Sequence, residues 1–230
     1  MKKLGLIGGI GPESTLLYYK KLVYGVQERV GDRFFPNIAI ESLNVFDVLD
    51  FCEKNNYDGL VEYLMKGINN LITAGAEIIA LTGNTPHIVF EKLQLQSKVP
   101  IISIIEITSQ EAENRKYSNI GLLGTKFTMQ EEFFKKPFIN KGIQVVVPSE
   151  KEQVIISEKI SNELEHGIVL GKTQNDFLDI IQRMKNEKGI EAIVLGCTEL
   201  PLLFKNIKIP LPVLDTLDLH VSSLIEMVLE

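Results

Sequence analysis

Short apolar runs recur along the chain, each closed by glycine or a small polar residue and followed by apolar positions at helical spacing. The first run, Lys3-Leu-Gly-Leu-Ile-Gly8, leads into Gly9-Ile10-Gly11-Pro12, which reads as a buried strand turning into a helix with proline near its first turn. The helix pattern (Leu16, Tyr19, Leu22, Val23, Val26) lasts to Gly31, and a second strand is expected over Asn37–Leu43. A loop holding Phe51 and Cys52 comes next, then a helix over about 58–74 that stops at Gly75 and a strand over 77–82. A helix from near Pro86 to about Gln96 and a fourth strand within Val99–Ile105 complete the series. Alternating strand and helix predicts a parallel sheet with crossover helices on its faces.

The pattern then starts again after a helical link at about 107–116. Asn119-Ile-Gly-Leu-Leu-Gly124 echoes Lys3 to Gly8, Gly189-Ile-Glu-Ala-Ile-Val-Leu echoes Gly75-Ala-Glu-Ile-Ile-Ala-Leu, and Lys208-Ile-Pro-Leu-Pro-Val-Leu echoes Lys98-Val-Pro-Ile-Ile-Ser-Ile. The offsets are 116 (119 against 3), 114 (189 against 75) and 110 (208 against 98). Between them are expected a helix over about 127–140, a strand over Gln144–Val147 and a long helical region to Glu187, broken near Gly167–Gly171. The chain therefore reads as two pseudo-symmetric α/β halves: 1–98 plus about 208–230, and about 99–207. A last helix from about Thr216 packs back on the first half.

Composition narrows the class. The 230 residues are 45 % apolar and 23 % charged, with a net charge of −6. That is an ordinary globular balance, with no uncharged apolar run of about 18 residues to cross a membrane. The apolar start is cut short by glycines, Pro12 and Glu13, too early for a signal-peptide core. A cytoplasmic protein is expected. Cys52 and Cys197 are the only cysteines, the three histidines (His87, His166, His220) are scattered, and no basic cluster is present. Neither a disulfide framework, a metal site nor a nucleic-acid surface is suggested. The partner expected is a small molecule.

In open parallel sheets ligands bind beyond the carboxyl ends of the strands, where helix N-termini offer free N–H groups. Two halves facing across a pseudo-dyad would bring Gly9 to Pro12, Gly83 to Thr85, Thr125 to Thr128 and Cys197 to Glu199 toward one cleft. Cys197 ends the apolar run Ile193–Leu195 beside Thr198 and Glu199. At a helix N-terminus its thiolate would be stabilised and serve as base or nucleophile; the alternative is a buried structural cysteine. Glu199 either orients or deprotonates the thiol, or only favours the helix start by its charge. Asn84 and Thr85, at the mirror position, offer donors for a carboxylate, although on spacing alone helix capping is the stronger reading. Gly8-Gly9-Ile10-Gly11 lacks the spacing and the lysine of a phosphate loop. His87 and His220 are expected to pack or hydrogen-bond, and Cys52 to lie in a loop as a rim residue or an incidental thiol.

Five segments carry a resemblance to the aspartate/glutamate racemases, the cofactor-independent amino-acid racemases. They are Gly5-Leu-Ile-Gly-Gly-Ile-Gly-Pro-Glu-Ser-Thr15, Asn84-Thr-Pro-His87, Leu122-Leu-Gly-Thr125, Gly196-Cys-Thr-Glu199 and Asp215-Thr-Leu-Asp-Leu-His220. The resemblance implies an isomerase with no cofactor, acting on aspartate or glutamate, and a homodimer. It places the substrate carboxylate with Asn84, Thr85, Thr198 and nearby backbone, including Gly9, Ile10 and Thr125. The family mechanism uses two thiols, one on each face of the α-carbon. Cys197 matches the second, and the first falls at Gly83. Cys52 lies near a substrate-contacting position and is a conceivable displaced thiol. Thr82 carries a hydroxyl beside Gly83, but strand alternation points it elsewhere.

Three functions are compatible with this pattern. The first is a racemase in which Cys197 works one face and water or another group the other. The second is a one-thiol lyase or isomerase, resembling the arylmalonate decarboxylases, in which Cys197 protonates a carbanion. The third is a non-catalytic binder of acidic amino acids. A thiol restored at residue 83 is expected to raise racemisation.

Overall fold

A computed structural model describes residues 1–230. They form two compact units: Met1–Ile104 with His220–Glu230, and Ile105–Leu219. Each is built on one parallel four-stranded sheet.

In the first unit the strands are β1 (Leu4–Gly8), β2 (Ile38–Ser42), β3 (Ile78–Leu81) and β4 (Ile101–Ile102), in the order β2-β1-β3-β4. The helices are α1 (Pro12–Val30), α2 (Val45–Glu53), α3 (Tyr57–Thr73) and α4 (Phe90–Gln96), with a 3-10 turn over Thr85–Val89. The second unit begins with α5 (Ile104–Asn114). Its strands are β5 (Asn119–Leu123), β6 (Gln144–Val146), β7 (Ala192–Leu195) and β8 (Val213–Asp215), in the same order β6-β5-β7-β8. Its helices are α6 (Lys126–Gln130), α7 (Glu132–Ile139), α8 (Glu150–Asn162), α9 (Gly171–Lys188) and α10 (Leu200–Leu203), with a 3-10 turn over Leu164–His166. The last helix, α11 (Thr216–Leu229), starts in the second unit, and its residues from His220 onward belong to the first.

The sequence repeat has a packing cause. Gly5 pairs with Ile79 across β1 and β3, and Gly121 pairs with Ile193 across β5 and β7. A Cβ on Gly5 would meet Ile79 Cδ1 at 2.7 Å and Ala76 Cβ at 2.9 Å; one on Gly121 would meet Ile193 Cδ1 and Ile190 Cδ1, both at 2.7 Å. The same notch is thus filled by the same kind of side chain in each sheet. Gly75 (φ 87°) and Gly189 (φ 65°) take positive φ at the matching connections into β3 and β7. A side chain there would be strained.

The boundaries differ from the expected ones. β4 pairs with β3, and β8 pairs with β7, so each sheet keeps its own fourth strand. The units therefore divide at 104/105 and 219/220 rather than at 98/99 and 207/208. The fourth strand shrinks to two residues because Ile104 already starts α5. The expected loop around Cys52 is instead α2, capped by the Asn44 side chain accepting from Phe46 N–H, with Val48 and Cys52 facing inward. The expected helix over 127–140 breaks at Glu131, whose extended backbone (ψ 148°) separates α6 from α7. On α1 the buried face runs through Ser14, Tyr18, Leu22, Val23 and Val26, leaving Leu16 and Tyr19 exposed. No helix is long and apolar enough to cross a membrane.

Candidate active site

In the first unit, the segments after β1 and β3 close on each other. Thr15 Oγ1 accepts from Gly9 N–H at 2.9 Å and bonds the Gly11 carbonyl at 3.0 Å. Ser14 Oγ donates to the Thr82 carbonyl, which ties the start of α1 to the end of β3. The Gly9 N–H is thereby occupied inside the turn, consistent with a loop that is no phosphate cradle. Thr82 is fully buried, and its hydroxyl donates to the Ile7 carbonyl at 3.1 Å. The expectation that it points away from a reacting group agrees with this bond.

Gly83 is where the resemblance asks for a thiol. A Cβ there would lie 2.9 Å from the Ile10 carbonyl oxygen and 3.1 Å from Ile10 Cγ2. Ile10, itself buried, takes up the space that a side chain on residue 83 would need. Asn84 is buried and stands before the 3-10 turn in a helical conformation, without the side-chain cap that its position suggested. Thr85 is half-buried at the start of that turn. Cys52 is buried on the inner face of α2, in its last turn.

Two histidines stabilise this region from beneath. His87 Nδ1–H donates to the Gly83 carbonyl at 3.1 Å, and its Nε2 accepts from Ile104 N–H at 3.4 Å. His220 Nε2–H donates to the Ile102 carbonyl at 3.1 Å while Nδ1 accepts from the Tyr18 hydroxyl at 2.7 Å. Each ring is held neutral in one tautomer by its partners. Burial lowers the His87 pKa to about 4, and burial with the neighbouring His87 lowers that of His220 to about 3. Packing and hydrogen bonding, as expected from sequence, is what both do.

In the second unit, Thr125 caps α6, its Oγ1 accepting from Thr128 N–H at 3.3 Å. The segments after β5 and β7 touch: a Cβ on Gly124 would lie 3.2 Å from the Gly196 carbonyl oxygen. Cys197, Thr198 and Glu199 form a tight turn in which Leu200 N–H donates to the Cys197 carbonyl at 3.1 Å. All three are buried. Cys197 Sγ donates to Glu199 Oε2 at 3.0 Å, and Thr198 Oγ1 donates to the same oxygen at 3.1 Å. Of the two readings of Glu199, the contact favours a direct partner of the thiol; its side chain makes no helix cap.

The electrostatics reverse the expected helix-terminus effect. α10 has only four residues, whereas burial and the adjacent Glu199 carboxylate push the Cys197 thiol well above its ordinary range. The resting pair is therefore a thiol hydrogen-bonded to a carboxylate. Such a pair shares one proton and can pass it either way, which suits acid/base work at carbon. One acidic residue escaped the sequence reading. Glu165, on the 3-10 turn between α8 and α9, acts on both Cys197 and Glu199 through its charge. Sequence separation of more than thirty residues hid it.

Comparison with known proteins agrees with the geometry. The family model described as Asp/Glu/Hydantoin racemase matches residues 7–224. The chain is 26 % identical over 220 residues to the broad specificity amino-acid racemase RacX of Bacillus subtilis (strain 168), covering 93 % of this chain and 92 % of that one. Among solved structures, an aspartate racemase homologue from Pyrococcus horikoshii OT3 superposes with a TM-score of 0.87 at 38 % identity, covering all of both chains. The aspartate racemase of Picrophilus torridus shares the fold, with a TM-score of 0.79 at 24 % identity over 99 % of this chain and 94 % of that one. A match over nearly the whole length, with the Gly-Cys-Thr-Glu turn inside it, means that the chain belongs to the Asp/Glu/Hydantoin racemase family.

Proposed function

We propose that the protein is a cofactor-independent amino-acid racemase that moves the α-proton of its substrate with Cys197 as acid/base and Glu199 as its proton partner. The observation that carries this is the 3.0 Å bond from the buried Cys197 thiol to the Glu199 carboxylate. Passing the thiol proton to Glu199 leaves a thiolate; the thiolate takes the α-proton, and the pair then holds two protons. Reversal returns one of them to the same face of the carbon; inversion requires that the proton come instead to the opposite face, from water or another group, while the Cys197–Glu199 pair keeps the one it took. Thr198, bonded to the same carboxylate oxygen, holds Glu199 toward the sulfur.

A second reading, chemistry from one side only, is favoured by residue 83. A glycine has no proton to give, and Ile10 crowds the space beside it. The two readings differ in stereochemistry. Incubation with one enantiomer of an amino acid in D2O, followed by mass spectrometry and chiral chromatography, separates them. Deuterium at the α-carbon with inversion supports racemisation; deuterium with retention supports one-sided proton transfer. No exchange with any amino acid, or a full exchange rate in Cys197→Ser, refutes the assignment of Cys197.

A further inference from the structure

The outer ridge of α1 is apolar on the side that a helix lying over a sheet normally turns to water. Its inner face packs through Ser14, Tyr18, Leu22, Val23 and Val26, yet Leu16 is 64 % exposed and Tyr19 and Tyr24 are 50 % exposed. Leu16, Lys20 and Tyr24 follow one another at i+4 along the helix, with Tyr19 beside them. The patch continues off the helix at both ends. Phe35, 56 % exposed, meets Tyr24 edge-on with ring centroids 6.4 Å apart. At the other end Ile40, on the edge strand β2 and 41 % exposed, lies beside the first turn of α1: a Cβ on Gly8 would meet Thr15 Cγ2 at 2.6 Å and Ile40 Cγ2 at 3.2 Å.

The fold itself does not demand this patch, because the second unit is built the same way without it. At the offset that matches Gly124 to Gly8, Leu16 and Tyr19 correspond to Glu132 and Lys135. Those two residues pair with each other at 3.1 Å, the Glu132 side chain 75 % exposed. One unit has a solvated ion pair where the other has a hydrophobic ridge. The size of the ridge matches a protein interface. Aromatic side chains carry about 150–250 Å² each, so Tyr19, Tyr24 and Phe35 at half exposure offer roughly 300 Å², and Leu16 with Ile40 bring the total to roughly 500 Å². A stable interface covers about 800 Å² per partner, about 60 % of it apolar, which is again roughly 500 Å².

The charges on the ridge indicate the partner. Glu13 and Lys20, both exposed, flank Leu16 three residues before it and four after. A two-fold axis beside Leu16 crosses two such helices antiparallel and sets Glu13 of each copy against Lys20 of the other. A ridge complementary to itself in this way fits a second copy of the chain. We infer that the outer ridge of α1, with Phe35 and Ile40, is the face on which two copies of this chain pair about a two-fold axis. The homodimer expected from the resemblance thereby acquires a surface, and the inference is independent of the assignment of Cys197.

Sedimentation velocity of the full chain over about 1–100 μM tests it, since a dimer responds to concentration by mass action. The wild type should be dimeric. L16E, which sets two carboxylates at the axis, should be monomeric over the same range with its far-UV circular dichroism unchanged. K20E opposes Glu13 of the partner with like charge and should weaken the dimer at least about tenfold, as should E13K. The double variant E13K/K20E exchanges both signs and should return to within about threefold of the wild-type dissociation constant. That recovery within one chain is the mark of pairing with a second copy. A wild type that is monomeric throughout overturns the inference and leaves the ridge to a partner of different sequence. A dimer that survives L16E and both single reversals overturns it in favour of a different face. Single reversals that weaken the dimer with no recovery in the double variant overturn the two-fold crossing at Leu16, and the inference with it.

Discussion

Placing a side chain at residue 83 is the sharpest perturbation the structure offers. Gly83→Ala adds only the Cβ, which would sit 2.9 Å from the Ile10 carbonyl oxygen and 3.1 Å from Ile10 Cγ2, where relaxed contacts between carbon atoms lie near 3.5–4.0 Å. Several tenths of an ångström must be found. The loop holding Ile10 has little to give, since Gly9 (φ 76°) packs so closely on Leu43 that its own Cβ would fall 2.1 Å from the Leu43 carbonyl oxygen. Thr15 ties the same loop through Gly9 and Gly11. Overpacking of this kind costs about 1–3 kcal/mol. For a chain of this size that is a fall of roughly 2–4 °C in Tm per kcal/mol. Thermal and urea melts of Gly83→Ala and Gly83→Cys measure it, and Ile10→Ala combined with Gly83→Ala should recover part of the loss, with a coupling of about 0.5–3 kcal/mol. Any gain in inversion expected of a thiol restored by Gly83→Cys should therefore arrive with a lower Tm. A Gly83→Ala protein that melts within about 1 °C of wild type, with no coupling to Ile10→Ala, refutes the packing argument.

Other outcomes follow from the site and its supports. Glu199→Gln removes the proton acceptor and should slow α-exchange by at least about tenfold, a modest proton-transfer contribution. It also removes one of the charges that raise Cys197, so in a Cys52→Ser background the pH profile of iodoacetamide labelling at Cys197 should move to lower pH; a profile moving upward contradicts the assigned cause. His220, with a folded pKa of about 3, and His87, with one of about 4, bind protons in the unfolded chain near 6.5 and not in the folded one. Their stabilising effect is complete above pH 6.5 and declines as pH falls toward 4, at about 1.4 kcal/mol per pH unit for each. Tm should drop across that window, and the slope should be shallower in His220→Gln; an unchanged slope would mean that this ring is not buried in neutral form.

Much of the scaffold was legible because the two halves are stabilised by the same residues. Gly5 and Gly121 serve as identical notches, and Gly75 and Gly189 make the same turn, so spacing alone exposed the repeat. Cys197 and Glu199 were legible because they follow the end of β7 at Leu195 within four residues. What stayed hidden depended on contacts distant in sequence. Nothing in Gly83 announces that Ile10 crowds it, and nothing in Glu165 announces that its charge bears on Cys197. Short elements were also misread: α2 needs only Asn44 and two inward residues, and α6 and α7 part at a glutamate that carries no breaker signal.

The return of α11 to the first unit has a consequence for the order of assembly. Lys2 N–H donates to the Val228 carbonyl at 3.0 Å, and His220 joins Tyr18 to the Ile102 carbonyl. Lys2 and Tyr18 lie early in the sequence, His220 and Val228 late in it. On the ribosome, residues 105–219 are continuous and can close their sheet as soon as they emerge, while the unit synthesised first must wait for the last eleven residues. The half that is made first is finished last.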